Sequence, residues 1–331
     1  MNHSSKLYSI SFVIIGLNEE KMIGRCIESI FELDYPQDKI EIIYVDSGST
    51  DRTLEIASKY PLKIVHLKAD RPTPGLACNE GLKRAKGELV QFIGGDSIID
   101  SRWLNNALPY LADVEIAGII GRRKELFPEE SIYNKLIDLT WQSFPSGNLD
   151  IPEGRLFKRT ILEEVEPHDP VLKAGEHTEL GYRIGRRGCK ILSIRNMMVY
   201  HDADISSLFE YLKRAMRNGC GTAQIFKKYW HCKDRPKKFY SSVIKADIQI
   251  ILFIAMVLSF SLRSFLIGYI LSLFVGIFIL RKVIKTYLLS KNLQMSLFFP
   301  FMSFLSRCAG FIGYIRCFIF ERGRRLQQAC K

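Results

Sequence analysis

Four short apolar runs, separated by helical patterns and polar turns, constrain this chain more than any other feature. Residues 10–16 (Ile-Ser-Phe-Val-Ile-Ile-Gly) predict a buried strand, and 41–45, 63–67 and 89–93 predict three more. Between the first two, Ile23, Cys26, Ile27 and Ile30 recur at three- and four-residue spacing, the period of a helix buried on one face. Residues 53–60 and 76–86 read as further helices, the second closed by Gly87. Strands alternating with helices predict an α/β fold with a doubly wound, mostly parallel sheet. Such sheets bind ligands beyond the carboxyl ends of their strands. Asn18 and Glu19, Asp46 and Asp96 all fall at those ends. Each alone has an ordinary reading as a turn residue, but acidic residues at three strand ends on one edge point to a site.

Past residue 100 the pattern is less regular. A helix and a short strand fit in 103–118. Helices are expected over 129–142, 159–165 and 176–187, and strands over 154–158 and 190–194, before a run at 198–200 that leads into His201. Hard cations prefer carboxylate oxygens, and Mn²⁺ also accepts imidazole. Asp96 and His201 are therefore the candidate metal ligands.

The formal net charge of +12 suits an anionic partner. Lys227, Lys228, Lys233, Arg235, Lys237 and Lys238 gather just before a strongly apolar region. That placement favours membrane lipids over nucleic acid, and no zinc finger, RNP-like strand or basic zipper is present. The eight cysteines form no CxxC pair and show no zinc spacing. The expectation is reduced thiols in a cytoplasmic compartment. Residues 1–6 are polar, and the apolar run 10–15 is shorter than a signal peptide requires. The N-terminal domain is accordingly expected in the cytoplasm.

Two apolar runs, 248–262 and 264–280, are split by Arg263. Each is shorter than the ~20 residues of an ordinary span. Together (hairpin 248–280) they suit a helical hairpin dipping into or just crossing a bilayer; a buried helix pair is the alternative. Arg281, Lys282, Lys285 and Lys291 follow, so basic residues flank both ends and place both on the cytoplasmic side. A third stretch, 295–320, is interrupted by Pro300, Arg307 and Arg316 and reads as interfacial or re-entrant. The expected organisation is a domain over 1–238 and a membrane module over 239–331.

Six segments, in this order, resemble the family 2 glycosyltransferases, the inverting enzymes of the GT-A fold. They are Ser-Phe-Val-Ile-Ile-Gly-Leu-Asn-Glu-Glu (11–20), Tyr-Val-Asp-Ser-Gly-Ser-Thr-Asp (44–51), Cys-Asn-Glu-Gly-Leu-Lys-Arg-Ala-Lys-Gly-Glu (78–88), Gly-Gly-Asp (94–96), Gly-Glu-His-Thr-Glu-Leu (175–180) and Val-Tyr-His (199–201). The C-terminal hairpin is similar to that of membrane-associated members such as succinoglycan-type glucosyltransferases. The resemblance implies a Rossmann-like GT-A domain that moves a sugar from a nucleotide-diphosphate sugar to a lipid-linked or growing polysaccharide acceptor at the cytoplasmic membrane face, using Mn²⁺ or Mg²⁺. It implies donor contacts from Ile15, Leu17, Asn18, Glu19, Asp46, Asn79, Gly95 and Asp96, with Asp46 on the base. Asp96 matches the last Asp of the family's DxD, and His201 its late metal-associated His. The family's Glu-Asp pair, which carries the catalytic base, aligns with Glu176 and His177. His177 is thus the candidate base, and an imidazole with a pKa near ~6.5 is competent at neutral pH.

The chain departs from the family at three positions: Gly94 replaces the first Asp of DxD, Cys78 a common Arg, and His177 the catalytic Asp. Two other readings stay open. The acceptor could be a polyprenyl phosphate, as in dolichyl-phosphate mannose synthase-like enzymes. Alternatively the chain could be a catalytically degenerate membrane scaffold that binds a nucleotide sugar, which Gly94 and His177 favour. Arg122 and Arg123 could sit on a loop over the donor. Lys213, Arg214 and Arg217 could meet phosphate or form a solvated face. Trp103, Trp141 and Trp230 could be acceptor platforms, but core packing or membrane-interface anchoring is the preferred reading, particularly for Trp230. A Rossmann dehydrogenase is disfavoured, because no GxGxxG opens the first helix.

Overall fold

The first strand, β1 (Ile10–Gly16), divides its side chains between two cores. Ile10, Phe12 and Ile14 pack with Ile23, Cys26, Ile27 and Ile30 of α1 (Ile23–Phe31). Val13 points the other way, into the core that holds Ala77 and Cys78 of α3 (Pro74–Leu82). Alternation along a strand has this result, and a sheet buried on both faces reads as an almost continuous apolar run. Full burial contributes about 2 kcal/mol per isoleucine. Helix α3 comes close to β1 because Gly81 has no side chain; a Cβ there would stand 2.2 Å from Val13 Cγ1.

This is a computed structural model, and it describes residues 6–142, 154–165, 168–230, 232 and 251–320. The chain divides into two compact units, Met1–Asp204 and Ile205–Lys331. The first contains a sheet of β2 (Ile40–Asp46), β3 (Lys63–His66), β4 (Leu89–Gly94), β5 (Ser97–Ile99), β6 (Ile116–Glu125), β7 (Arg155–Lys158) and β8 (Lys190–His201) with β1, in the order β3-β2-β1-β4-β7-β6-β8-β5. The expected parallel, doubly wound part is there: β3, β2, β1 and β4 run parallel, as do β6 and β8. β7 is antiparallel to both neighbours, and β5 is antiparallel to β8. The remaining helices of this unit are α2 (Thr53–Ala57), α4 (Trp103–Ala107), α5 (Ile132–Trp141), α6 (Arg159–Glu164) and α7 (Glu176–Arg186). Trp103 is core: it is fully buried and its indole N–H donates to Gln91 Oε1 at 2.8 Å.

The second unit begins with α8 (Leu208–Tyr229), opened by a capping box between Ser207 and Glu210. After it come α9 (Ile251–Ser261), α10 (Phe265–Ser290) and α11 (Leu293–Phe320). The break at Arg263, in the left-handed region at φ 60°, lies where the sequence places it. The apolar helix that follows does not stop near 280, however. It continues through the basic residues to Ser290, so α10 and α11 are each long and apolar enough to cross a membrane. Leu266, Leu273, Phe274 and Leu280 lie exposed on α10. Open apolar surface of this extent calls for a lipid or protein cover.

The domain boundary expected near 238 lies outside the described residues; within the second unit α8 packs on α11. Small residues make that contact tight: a Cβ on Gly219 would meet the Gly310 carbonyl at 1.9 Å, and one on Gly313 the Met216 carbonyl at 2.1 Å. The same closeness brings Cys220 and Cys317 to a Cα separation of 5.2 Å, where they form a disulfide. This corrects the expectation of reduced thiols throughout. Nothing in the spacing of the two cysteines pointed to the bond, because it depends on two helices meeting far apart in sequence.

Candidate active site

The loops after β1 and β2 are tied together by the residues expected to form the site. Asn18, in the left-handed region at φ 59°, accepts a hydrogen bond from the Thr50 N–H at 2.8 Å, and its own N–H donates to Ser49 Oγ at 2.9 Å. The Glu19 N–H donates to Thr53 Oγ1 at 2.7 Å. Asp46, buried at the end of β2, accepts from the N–H groups of Gly48 and Ser49 and from the Tyr44 hydroxyl. Its carboxylate therefore shapes the turn that follows it. Ile15 is half-buried at the end of β1, while Leu17 is exposed.

The β5–β8 ladder pairs Ser97 with His201. That register brings Asp96 Oδ2 to 3.6 Å from His201 Nε2. The Asp202 N–H donates to the Asp96 carbonyl at 3.0 Å. His201 Nδ1 lies 2.8 Å from the Asp202 carbonyl oxygen. A carbonyl only accepts, so Nδ1 carries the proton and the lone pair of the neutral ring sits on Nε2, toward Asp96. Glu19 belongs to the same group. Burial first, and then the charges of Asp96, Asp202 and Asp51, push its pKa up to about 8, with His201 opposing. Acidic side chains therefore crowd one another here. An oxygen and an imidazole nitrogen beside a proton-holding carboxyl suit a hard divalent cation. Among the described residues, no three His, Cys, Asp or Glu side chains form a complete metal-binding group.

Two neighbours of His201 were not expected. Glu125 faces it across the β6–β8 ladder and is buried; its carboxylate accepts from the N–H groups of Phe127 and Ala203. Burial raises its pKa, those two hydrogen bonds working against the rise. The Trp141 ring lies 5.0 Å from the imidazole, and the Arg123 guanidinium stacks 3.9 Å from that indole. Arg122 and Arg123 belong to β6 rather than a loop. Glycines and basic residues at the end of that strand conceal its length from periodicity alone.

Glu176 and His177 open α7, after Gly175 at φ 77°. His177 Nε2 lies 2.8 Å from Glu176 Oε1, and both side chains are buried. Burial favours the neutral form of Glu176, but His177 and Arg155 outweigh it and hold the carboxyl below its ordinary value. The fully buried His168 ring sits edge-on between Phe92 and His177, at 5.2 and 5.4 Å. Burial first, then His177, Arg155 and Arg183, drive the His168 pKa well down, so it is neutral. Asn79 engages the backbone of His168 through both ends of its amide, at 2.8 Å each. That places Asn79 as a clamp on this loop, distinct from the Asp96 group.

The model of Glycosyl transferase family 2 matches residues 11–164. The chain carries a family 2 glycosyltransferase domain. The poly(ribitol-phosphate) β-N-acetylglucosaminyltransferase TarS of Staphylococcus aureus is 28% identical over 51% of this chain and 31% of its own length. A dolichyl N-acetyl-α-D-glucosaminyl phosphate 3-β-D-2,3-diacetamido-2,3-dideoxy-β-D-glucuronosyltransferase of Methanococcus voltae is 26% identical over 66% of this chain and 74% of its own. The structure of mannosyltransferase PcManGT from Pyrobaculum calidifontis, in complex with GDP-Man and Mn²⁺, superposes with a TM-score of 0.61 at 18% identity, over 96% of this chain and 89% of that one. The fold is GT-A. The chain spans less than a third of the length of the TarS relative.

Within a family 2 domain, Gly94 has a local explanation. A Cβ at this position would stand 2.4 Å from Asp96 Oδ1. A side chain here would make the Asp96 carboxylate, the free end of a flexible side chain, turn aside. Restoring the family's residue with Gly94→Asp should therefore not improve the site. It should displace the Asp96 carboxylate and lower affinity for Mn²⁺ by about tenfold, as a lost charge-assisted contact does; titration calorimetry measures it, and tighter binding would contradict this geometry.

Glu19 gives a pH prediction for the protein in EDTA. Its raised pKa means that the folded state holds a proton which the unfolded chain releases above its ordinary value of 4.5. Its contribution to stability is complete below that value and is lost as pH rises through about 8. Denaturant midpoints should fall across that window, and Glu19→Gln should flatten the slope.

Proposed function

We propose that this chain is an inverting, metal-dependent glycosyltransferase that moves a sugar from a nucleotide-diphosphate sugar to a lipid-linked or polysaccharide acceptor. The observation that carries this reading is the meeting of Asp96 and His201 across the β5–β8 ladder, among acidic side chains at the ends of β1 and β4. Asp96 and His201 would hold Mn²⁺ or Mg²⁺. Such a metal would neutralise the leaving pyrophosphate. Asn18, Glu19, Asp46 and Gly95 line the donor side, with Ile15 and Leu17 beside them.

The acceptor oxygen forms a bond to the anomeric carbon as the bond to the pyrophosphate oxygen breaks, and the electron pair leaves with the nucleotide. His177 takes the acceptor's proton. Glu176 accepts from Nε2–H, which fixes the tautomer with the lone pair on Nδ1 and stabilises the imidazolium that results. A second reading is favoured by the burial of His177. A phosphate acceptor brings an ionised oxygen and needs little base, whereas the Methanococcus relative is named for transfer to the 3-position of a dolichyl phosphate-linked N-acetylglucosamine, a hydroxyl on a lipid carrier, as in the first reading. On either reading, the basic residues around α9 and α10 support association with the cytoplasmic face of the membrane. The test is turnover of UDP-, GDP- and dTDP-sugars by the full chain with Mn²⁺, using polyprenyl phosphate and glycosylated lipid acceptors in parallel. Donor binding without turnover on any acceptor would support the scaffold reading instead.

A further inference from the structure

A cavity of about 320 Å³ lies within the second unit, walled by Leu252 and Phe253 of α9, Phe278 of α10, and Pro300 and Phe304 of α11. Its one charged lining residue is Lys282. The position of that lysine is informative. From Phe265 to Leu280, α10 carries no charge, and its basic residues start at Arg281. The cavity therefore spans the level at which an apolar helix becomes cationic, the same transition that a phospholipid makes between its chains and its phosphate. The Lys282 ammonium is half-buried. It bonds Ser303 Oγ, lies 5.3 Å from the Phe299 ring, and has the cations Arg307 and Lys285 as its electrostatic neighbours. Among the described residues, no carboxylate is a partner of Lys282. A half-buried ammonium on the wall of an apolar cavity is costly unless an anion joins it, and the wall fits hydrocarbon rather than a soluble anion.

We propose that this cavity binds an anionic phospholipid, with the phosphate on Lys282 and one acyl chain against the wall formed by α9, α10 and α11. The proposal concerns the second unit alone and stands apart from the transfer reaction. The test uses the full chain purified in mild detergent and offered equal amounts of phosphatidylglycerol and phosphatidylcholine, with bound lipid counted by native mass spectrometry. The wild type should retain phosphatidylglycerol in about tenfold preference. Lys282→Ala should remove most of that preference, and Lys282→Arg should keep it. Val275→Trp, which fills the cavity and leaves the charges in place, should lower retention of both lipids. Arg281→Ala removes an exposed charge from the same helix but outside the cavity, and should change nothing. No preference in the wild type, or equal loss in Arg281→Ala and Lys282→Ala, would overturn the proposal, the second by showing a diffuse surface effect. Melting curves of each variant separate loss of the site from loss of the fold.

Discussion

Asp96→Ala is expected to cut kcat/KM for sugar transfer by about 10²–10⁴, corresponding to about 3–5 kcal/mol of lost transition-state stabilisation. The loss should appear in kcat, since the metal acts mainly on charge that develops as the pyrophosphate leaves. Asp96→Asn, which keeps the shape and removes the charge, should fall nearly as far. Mn²⁺ binding in the presence of nucleotide, followed by electron paramagnetic resonance, should weaken in parallel. His201→Ala should weaken binding too, because its Nε2 lone pair and the Asp96 carboxylate converge on one place. Substantial turnover by Asp96→Ala would remove the metal assignment, while the fold assignment would stand.

The second large effect concerns His177. With a hydroxyl acceptor, His177→Ala should lower kcat by about 10²–10⁴, the usual contribution of a positioned base, and leave the donor KM little changed. With a polyprenyl phosphate acceptor the same variant should lose less than about tenfold, because no proton has to be removed. His177→Asp, which brings back the family's residue beside Glu176, should keep most of the activity and move the acid limb of the pH profile down. If His177→Ala were silent with both acceptors, the imidazole would have only a structural place beside His168.

The strands β1 to β4 were legible because each is a nearly unbroken apolar run ending in a polar turn, and a strand buried on both faces leaves that trace. The amphipathic period of α1 was equally plain. The antiparallel strand β5 was missed, since Ser97, Ile98 and Ile99 are too few to show a period. Strand β8 was read in two pieces because Arg195 and Asn196 interrupt its apolar residues, although the ladder continues through bulges. Glu125 was not assigned to the site, since it looks ordinary in its own segment and gains meaning only beside His201, and Arg123, expected on a loop over the donor, lies instead on β6 beside Trp141. Gly94 read as a missing carboxylate in the sequence. In three dimensions it is where the Asp96 carboxylate now rests, and a side chain there would turn that carboxylate aside.

The sequence by itself determined the order of elements, the two-faced burial of the central strands, the strand-end placement of Asp96 and the apolar character of α9 to α11. These are local properties, set by side-chain period and by composition over a few turns. Tertiary structure alone decided that Ser97 pairs with His201, that Glu176 bonds His177 under the His168 ring, and that α8 joins α11 through Cys220 and Cys317. Those outcomes depend on strand register and on the distance of closest approach between helices. Both are settled by residues far apart in the chain, and neither leaves a periodic signal in either partner.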